Sequence, residues 1–477
     1  MRSRSNERGE KQMIRDINKA IEAKQPGRRG HLTRVIGLSA LAALGFAGTA
    51  NATMKTDVGV DYRATGFYVE SESFGVDATD TDTDSDNGFA QYLRVKADFK
   101  HEETGVSVHT RVELAGDRWS GDARNYDTTS GTAFNADNNG DNVRLDLGFV
   151  QIPFKFGLLR VGRQEANWNN CFLVCDDRRD RALFLTKLGN VNAFLSYDRR
   201  QDNTPFNNED NGNQIFPGFV APLGESGWSL GFLYVHWLNN YNGDLIGPTG
   251  APRNAYVLSN TNIYSPYMQG SLGPLDISFG GNWLEGGNVN ANQTPEGGDY
   301  FNDDAYSGYF RVGADVGMFE LKAQYVATRD GGLISTGFDT YSSLINSSPE
   351  STANPTSLYQ MGRFLGREGF DESLYIASIG MNVTEKFALR GAVGFLDIEV
   401  PDSAAVAGET SDTSTVYDLQ ASYQLNEAVR TWATLGMLKE NDVGILRGNS
   451  LVGATPNEGS FADDRVIAGS VNLGVQF

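Results

Sequence analysis

Val471-Asn472-Leu473-Gly474-Val475-Gln476-Phe477 ends the chain. Val471, Leu473, Val475 and Phe477 share one side of an extended segment while Asn472, Gly474 and Gln476 share the other, because successive side chains of a strand point to opposite faces. A soluble sheet would bury such an apolar side against a core, so these seven residues settle little alone. Repetition gives them weight.

Leu93, Val95, Ala97 and Phe99 alternate with Arg94, Lys96 and Asp98, and the next segment answers with Val106, Val108, Val112 and Leu114 against His109, Arg111 and Glu113. Val143, Leu145, Leu147 and Phe149 repeat the pattern. Two kinds of connection join such segments: very short turns, and long stretches rich in Asp, Asn, Gly and Ser. No apolar run reaches the roughly 18 residues of a spanning helix. A closed barrel is the other structure that satisfies every backbone group in lipid, and its strands need only about 9 to 11 residues, half of them polar. The sequence therefore predicts an all-β protein: a closed antiparallel transmembrane barrel with short periplasmic turns and long external loops. The count turns on Trp228 to Leu238 and the Pro-interrupted Gln214 to Leu223, since Pro is poorly tolerated in a paired strand. With both inserted the barrel has 18 strands; with neither it has 16.

Residues 1–52 read as a targeting segment with a basic extension. Arg28, Arg29 and Arg34 precede an apolar stretch from Val35 to Gly48, and Ala50-Asn51-Ala52 supplies small residues for cleavage before Thr53. The barrel is then residues 53–477. The leader carries ten Lys or Arg and four Asp or Glu, so its removal leaves 30 basic against 56 acidic residues, a net charge of −26. That surface excludes nucleic acid as a partner. Cys171 and Cys175 are the two cysteines, and in an exported chain they are expected to pair. His101, His109 and His236 sit in no recognisable nucleophile or metal motif, so enzymatic chemistry is not expected.

The terminal aromatic with apolar residues at every second position before it resembles the closing strand of Gram-negative outer-membrane porins, with Phe477 as the assembly terminus. In those proteins a strand ending in a Gly-Arg pair, here Gly162-Arg163, enters a loop that folds into the lumen. The resemblance implies an infolded constriction loop at residues 164–181, with Asp176, Asp177, Arg178, Arg179, Asp180 and Arg181 as its charges. It also implies a homotrimer in outer-membrane lipid and lipopolysaccharide. The function it implies is a water-filled channel for small hydrophilic solutes and ions. Alternatives are a substrate-selective channel for sugars or anions, and a barrel that serves as scaffold for an adhesin or surface receptor.

Charged residues on the inward face would line water, because such a side chain near the lipid midplane costs about 2 to 4 kcal/mol. Arg94, Lys96, Arg111, Arg144, Arg160, Arg311, Arg390 and Arg430 are the expected basic wall, opposed to Asp176, Asp177 and Asp180. Opposed charges across a constriction create a transverse field that sorts ions. No cofactor is expected beyond one candidate calcium loop, Asn135, Asp137, Asn139 and Asp146, which departs from the usual spacing at its first and last ligands.

Overall fold

The computed structural model describes residues 54–71, 84–118, 143–202, 211–238, 261–285, 304–335, 337–346, 365–366, 370–399, 411–439 and 465–477. The leader, Asn135, Asp137 and Asn139 lie outside them.

Eighteen strands form one sheet. The first quarter of the wall is β1 (Met54–Ser71), β2 (Asp84–His101), β3 (Ser107–Arg118) and β4 (Arg144–Phe154). Then come β5 (Gly157–Trp168), β6 (Val174–Leu188), β7 (Val191–Asp202), β8 (Asn211–Pro222) and β9 (Ser229–Trp237). The wall continues through β10 (Asn262–Leu272), β11 (Leu275–Glu285), β12 (Ala305–Val316), β13 (Phe319–Arg329) and β14 (Asp371–Asn382). It ends with β15 (Phe387–Glu399), β16 (Ser411–Gln424), β17 (Val429–Lys439) and β18 (Val466–Gln476). Each strand pairs antiparallel with its sequence neighbours, and β1 also pairs with β18, from Asp61 opposite Gln476 to Glu70 opposite Ile467. Closure removes both sheet edges, as a lipid environment demands.

Both disputed segments insert, so the count is 18 and not 16. Pro217 is accommodated because the ladder from β8 to β9 skips it, running from Ile215 opposite His236 to Gly218 opposite Leu233. Its other side still faces Leu195 of β7. One missing N–H thus costs a short gap and leaves the strand in place.

The terminal strand shows how the faces divide. Val471, Leu473 and Phe477 are exposed on the outer side. Asn472 is buried on the inner side, where its Oδ1 accepts from Thr65 Oγ1 at 2.7 Å and its Nδ2 donates to Ser470 Oγ at 2.9 Å. The Phe477 N–H and C=O exchange hydrogen bonds with Val60 at 3.1 and 2.8 Å, which ties the end of the chain to β1. Near the end bearing the long connections, Tyr234, Tyr264, Trp283 and Tyr306 form a row across β9 to β12, with successive centroids 5.2, 4.9 and 6.1 Å apart. Such aromatic rows mark a membrane interface.

The inner side is not uniformly wet. Leu158, Leu183, Leu185, Phe194, Phe216, Val220, Leu233 and Val235 make one buried apolar cluster with Trp168, and Val326, Leu374, Leu396, Val416, Leu438 and Val466 belong to a second. Alternation alone predicts polar residues at these inward positions. Two segments that fold into the barrel cover them instead.

Candidate functional site: a barrel interior narrowed from two sides

The first segment grows out of β5 and β6. The β4 to β5 ladder ends at Gly148 opposite Arg163, and the β6 to β7 ladder begins at Asp180 opposite Arg199. Between these points, Gln164 to Trp168 pair only with Val174 to Arg179. The strands leave the wall together as a hairpin. Gly162 permits the departure: its φ of +125° suits glycine, and a Cβ there would collide with the Gly148 carbonyl. The segment expected as an irregular loop at 164–181 is therefore mostly ladder, because its alternating residues pair with one another as readily as wall strands do. Only residues 169–173 form the turn. Cys171 and Cys175 are joined across it.

The tip of the hairpin crosses the interior. Trp168 Nε1 donates to the Ser265 carbonyl at 3.0 Å, and the ring lies edge-on to Phe194 and Tyr267. Asn169 Oδ1 accepts from Tyr309 Oη at 3.0 Å. Phe172, fully buried, packs its ring 4.8 Å from Tyr309 and 4.7 Å from Phe338.

Phe338 belongs to the second segment, residues 331–346, which enters from the β13 to β14 connection. Among its described residues it forms no strand. Phe338, Tyr341, Leu344 and Ile345 bury against Leu374, Leu396, Val416 and their neighbours on the wall. Polar contacts fix the rest: Ser343 N donates to Asp418 Oδ1 at 2.7 Å, Arg390 Nη2 donates to the Tyr341 carbonyl at 2.8 Å, and Arg311 donates to the Asp339 carbonyl. Arg311 also lies 4.1 Å over the Phe338 ring. Burial alone would raise the Asp339 carboxyl, but Arg390, Arg311, the Tyr341 N–H and Lys322 together hold it below the ordinary carboxylate range. The two segments meet where Ser335 N donates to the Phe172 carbonyl at 2.8 Å.

The charged residues fall into four groups. Arg94, Arg111 and Arg178 surround Asp146 and Asp176, with Glu113 2.8 Å from Arg94 and Glu165 3.2 Å from Arg111. Three guanidiniums thus face four carboxylates directly, whereas the sequence placed basic wall and acidic loop on opposite sides of an opening. The hairpin lies against β2 to β4, which brings Asp176 and Arg178 within reach of the wall. Asp146, the last residue of the candidate calcium loop, sits within β4 and is engaged by Arg111 and Arg178, while Asn135, Asp137 and Asn139 lie outside the described residues.

Farther along the hairpin, Arg179 pairs with Asp177, Arg181 with Asp198 at 2.7 Å, and Asp180 lies 4.0 Å from Arg163. Arg311 and Arg390 hold the second segment. The others sit on the wall: Arg160 donates to Gln151 at 2.9 Å, Arg430 stacks 5.8 Å from Trp432, and Lys96 lies 2.8 Å from Asp98. Arg144 is in β4, and its side chain is outside the described residues. Sequence reasoning missed the whole second segment. The available signal was apolar character on both faces of β14 and β15, as in Leu374-Tyr375-Ile376 and Phe395-Leu396, which demands an inner cover.

One arrangement resembles enzyme chemistry. His109 Nε2 lies 2.8 Å from Ser107 Oγ and Nδ1 lies 2.9 Å from Asp98, the order of a charge-relay triad. Ser107 is only 4% exposed, and its backbone pairs with Lys100 on one side and Gln151 on the other. The three side chains tie β2 to β3, with Asp98 on one strand and Ser107 and His109 on the other.

No family model matches the sequence, and no curated protein matches it. Solved structures do match in shape. Pseudomonas aeruginosa OpdQ superposes with a TM-score of 0.53 at 7% identity, covering 88% of this chain and 97% of its own. The two chains share one fold, a closed 18-stranded antiparallel β-barrel. Acinetobacter baumannii OccAB2 gives 0.52 at 12% identity over 88% and 98% of the two chains, and the outer membrane protein opdK from Pseudomonas aeruginosa gives 0.50 at 11% over 88% and 99%. At these identities the likeness establishes the barrel architecture, and the chemistry of the interior must be argued from this chain's own residues.

Proposed function

We propose that this protein is a porin of the Gram-negative outer membrane that lets small hydrophilic solutes and ions cross by passive diffusion. The observation that carries the reading is the division of the closed wall: apolar side chains outside, and charged ones kept inside around an interior that two segments narrow. A barrel replaces bilayer with a hydrated path, and selectivity follows from its width and the charges along it. Single-channel recording in planar bilayers is the test. Discrete conductance steps and a reversal potential in a salt gradient are expected; absence of conductance would favour the scaffold reading.

A second reading, a substrate-selective channel, is favoured by the meeting of the two segments at Phe172 and Phe338, which leaves less room than a single constriction. It predicts that one class of solute, a sugar or an anion, blocks ion current saturably. The exposed apolar belt suits lipid, lipopolysaccharide and neighbouring subunits of a homotrimer; cross-linking in native membranes tests the trimer.

A further inference from the structure

We propose that Asn169 and Trp168 are positioning residues: they seat the hairpin in a gap that Pro266 opens in the barrel wall, and so set the cross-section of the path. The proposal rests on the channel reading above.

The ladder between β10 and β11 runs from Asn262 opposite Glu285 to Tyr264 opposite Trp283, then resumes at Tyr267 opposite Gly280. Ser265 and Pro266 have no β11 partners in this ladder, although both remain opposite β9 residues, Leu233 and Phe232. Pro266 brings no N–H, so the carbonyls around it need donors from elsewhere. The hairpin supplies them. Trp168 Nε1 lies 3.0 Å from the Ser265 carbonyl. Asn169 Nδ2 is 3.1 Å from Ser265 Oγ, 3.4 Å from the Gly281 carbonyl and 3.5 Å from the Pro266 carbonyl.

The recess is shaped for this residue. Asn169 is fully buried, and its φ of 57° is a left-handed conformation that asparagine tolerates better than most. Gly280 forms the floor, where a Cβ would collide with Asn169 Oδ1. A wall with an unbroken ladder would offer neither the free carbonyls nor the space. An interruption that looks like a defect in β10 is thus the fixing point of a segment that begins on the far side of β5 and reaches across some 96 positions of sequence.

The test uses Asn169→Ala, Asn169→Asp and Gly280→Ala, with two measurements on each: single-channel conductance, and hydrogen exchange of the backbone in detergent. Asn169→Asp keeps the Oδ1 acceptor and the tolerance for positive φ but lacks the amide donor. If the seat fixes the hairpin, all three variants raise open conductance about twofold relative to wild type. Amides of residues 164–179 should then exchange at least tenfold faster while those of β10 to β18 keep their protection. Wild-type conductance and wild-type hairpin protection in Asn169→Ala would overturn the proposal with the channel reading intact. A wild-type protein that does not conduct would refute the channel, while the exchange experiment still decides whether the seat exists. Loss of protection across the whole barrel in both Asn169→Ala and Gly280→Ala would assign the pair to wall stability and also overturn the proposal.

Discussion

The two infolded segments solve the same problem by different means. The β5 to β6 hairpin satisfies most of its backbone internally, through pairs from Gln164 opposite Arg179 to Trp168 opposite Val174, so it needs anchoring only at its tip and along one charged side. Residues 331–346 have no such ladder and must be held along their whole length. They bury Phe338, Leu344 and Ile345 and give their backbone to Arg311, Arg390 and Asp418. Regular structure frees a segment from its surroundings, and irregular structure binds it to them. The hairpin should accordingly be robust to apolar truncation and sensitive at its polar seat; the second segment should behave in the opposite way.

The largest expected effect comes from Phe338→Ala with Leu344→Ala. Each truncation in a filled apolar site costs about 3 kcal/mol, enough together to undock the second segment. Conductance should rise severalfold; an unchanged value would mean that the path does not pass this segment. Next is Asp176→Asn with Asp177→Asn. Asp176 approaches Arg94, Arg111 and Arg178, so its neutralisation leaves guanidinium charge uncompensated. The reversal potential should shift toward anions, and a fixed value would remove the hairpin from the permeation path.

Acidification should act more weakly, at the second segment through Asp339. The Asp339 carboxyl is held below its ordinary value of 3.8, so its stabilising charge is fully present above that pH and is lost as pH falls through the lower folded-state value. Current noise should grow as pH falls below about 4, and Asp339→Asn should reduce that rise; a rise of wild-type size in the variant would remove Asp339 as its source. Smallest is reduction of Cys171 and Cys175, which close a loop of four sequence steps. On the chain-entropy account so short a loop is worth roughly 2 kcal/mol. A dithiol should lower the hairpin's hydrogen-exchange protection in detergent while Trp168 and Asn169 keep the tip in place, leaving conductance within about 20% of its starting value. A large conductance change would transfer the anchoring role from the polar seat to the disulfide.

Much of the interior was legible by residue and not by arrangement. Arg94, Arg111, Asp176 and Arg178 could be picked out because charge at inward positions of a spanning strand must face water or a counter-charge. The reach of Arg94 and Arg111 to Asp176 could not, because it depends on the hairpin lying against β2 to β4, a placement set by Gly162 and by the distant seat at Ser265 and Pro266. Asp146 is the clearest case. Its spacing from Asn135 suggested a cation ligand, and the fold sets Arg111 and Arg178 against its carboxylate.

By itself the sequence determined the barrel, its closure and the division of its faces, because a period of two is local and each strand declares its own lipid side. Pro217 in β8 left the strand count open, since whether a missing N–H is tolerable depends on what neighbours the gap. Only the tertiary structure decided which inward residues meet water and which are covered. Covering segments dock through contacts between residues 28 to 140 positions apart, and nothing in a local pattern encodes where a segment of that kind comes to rest.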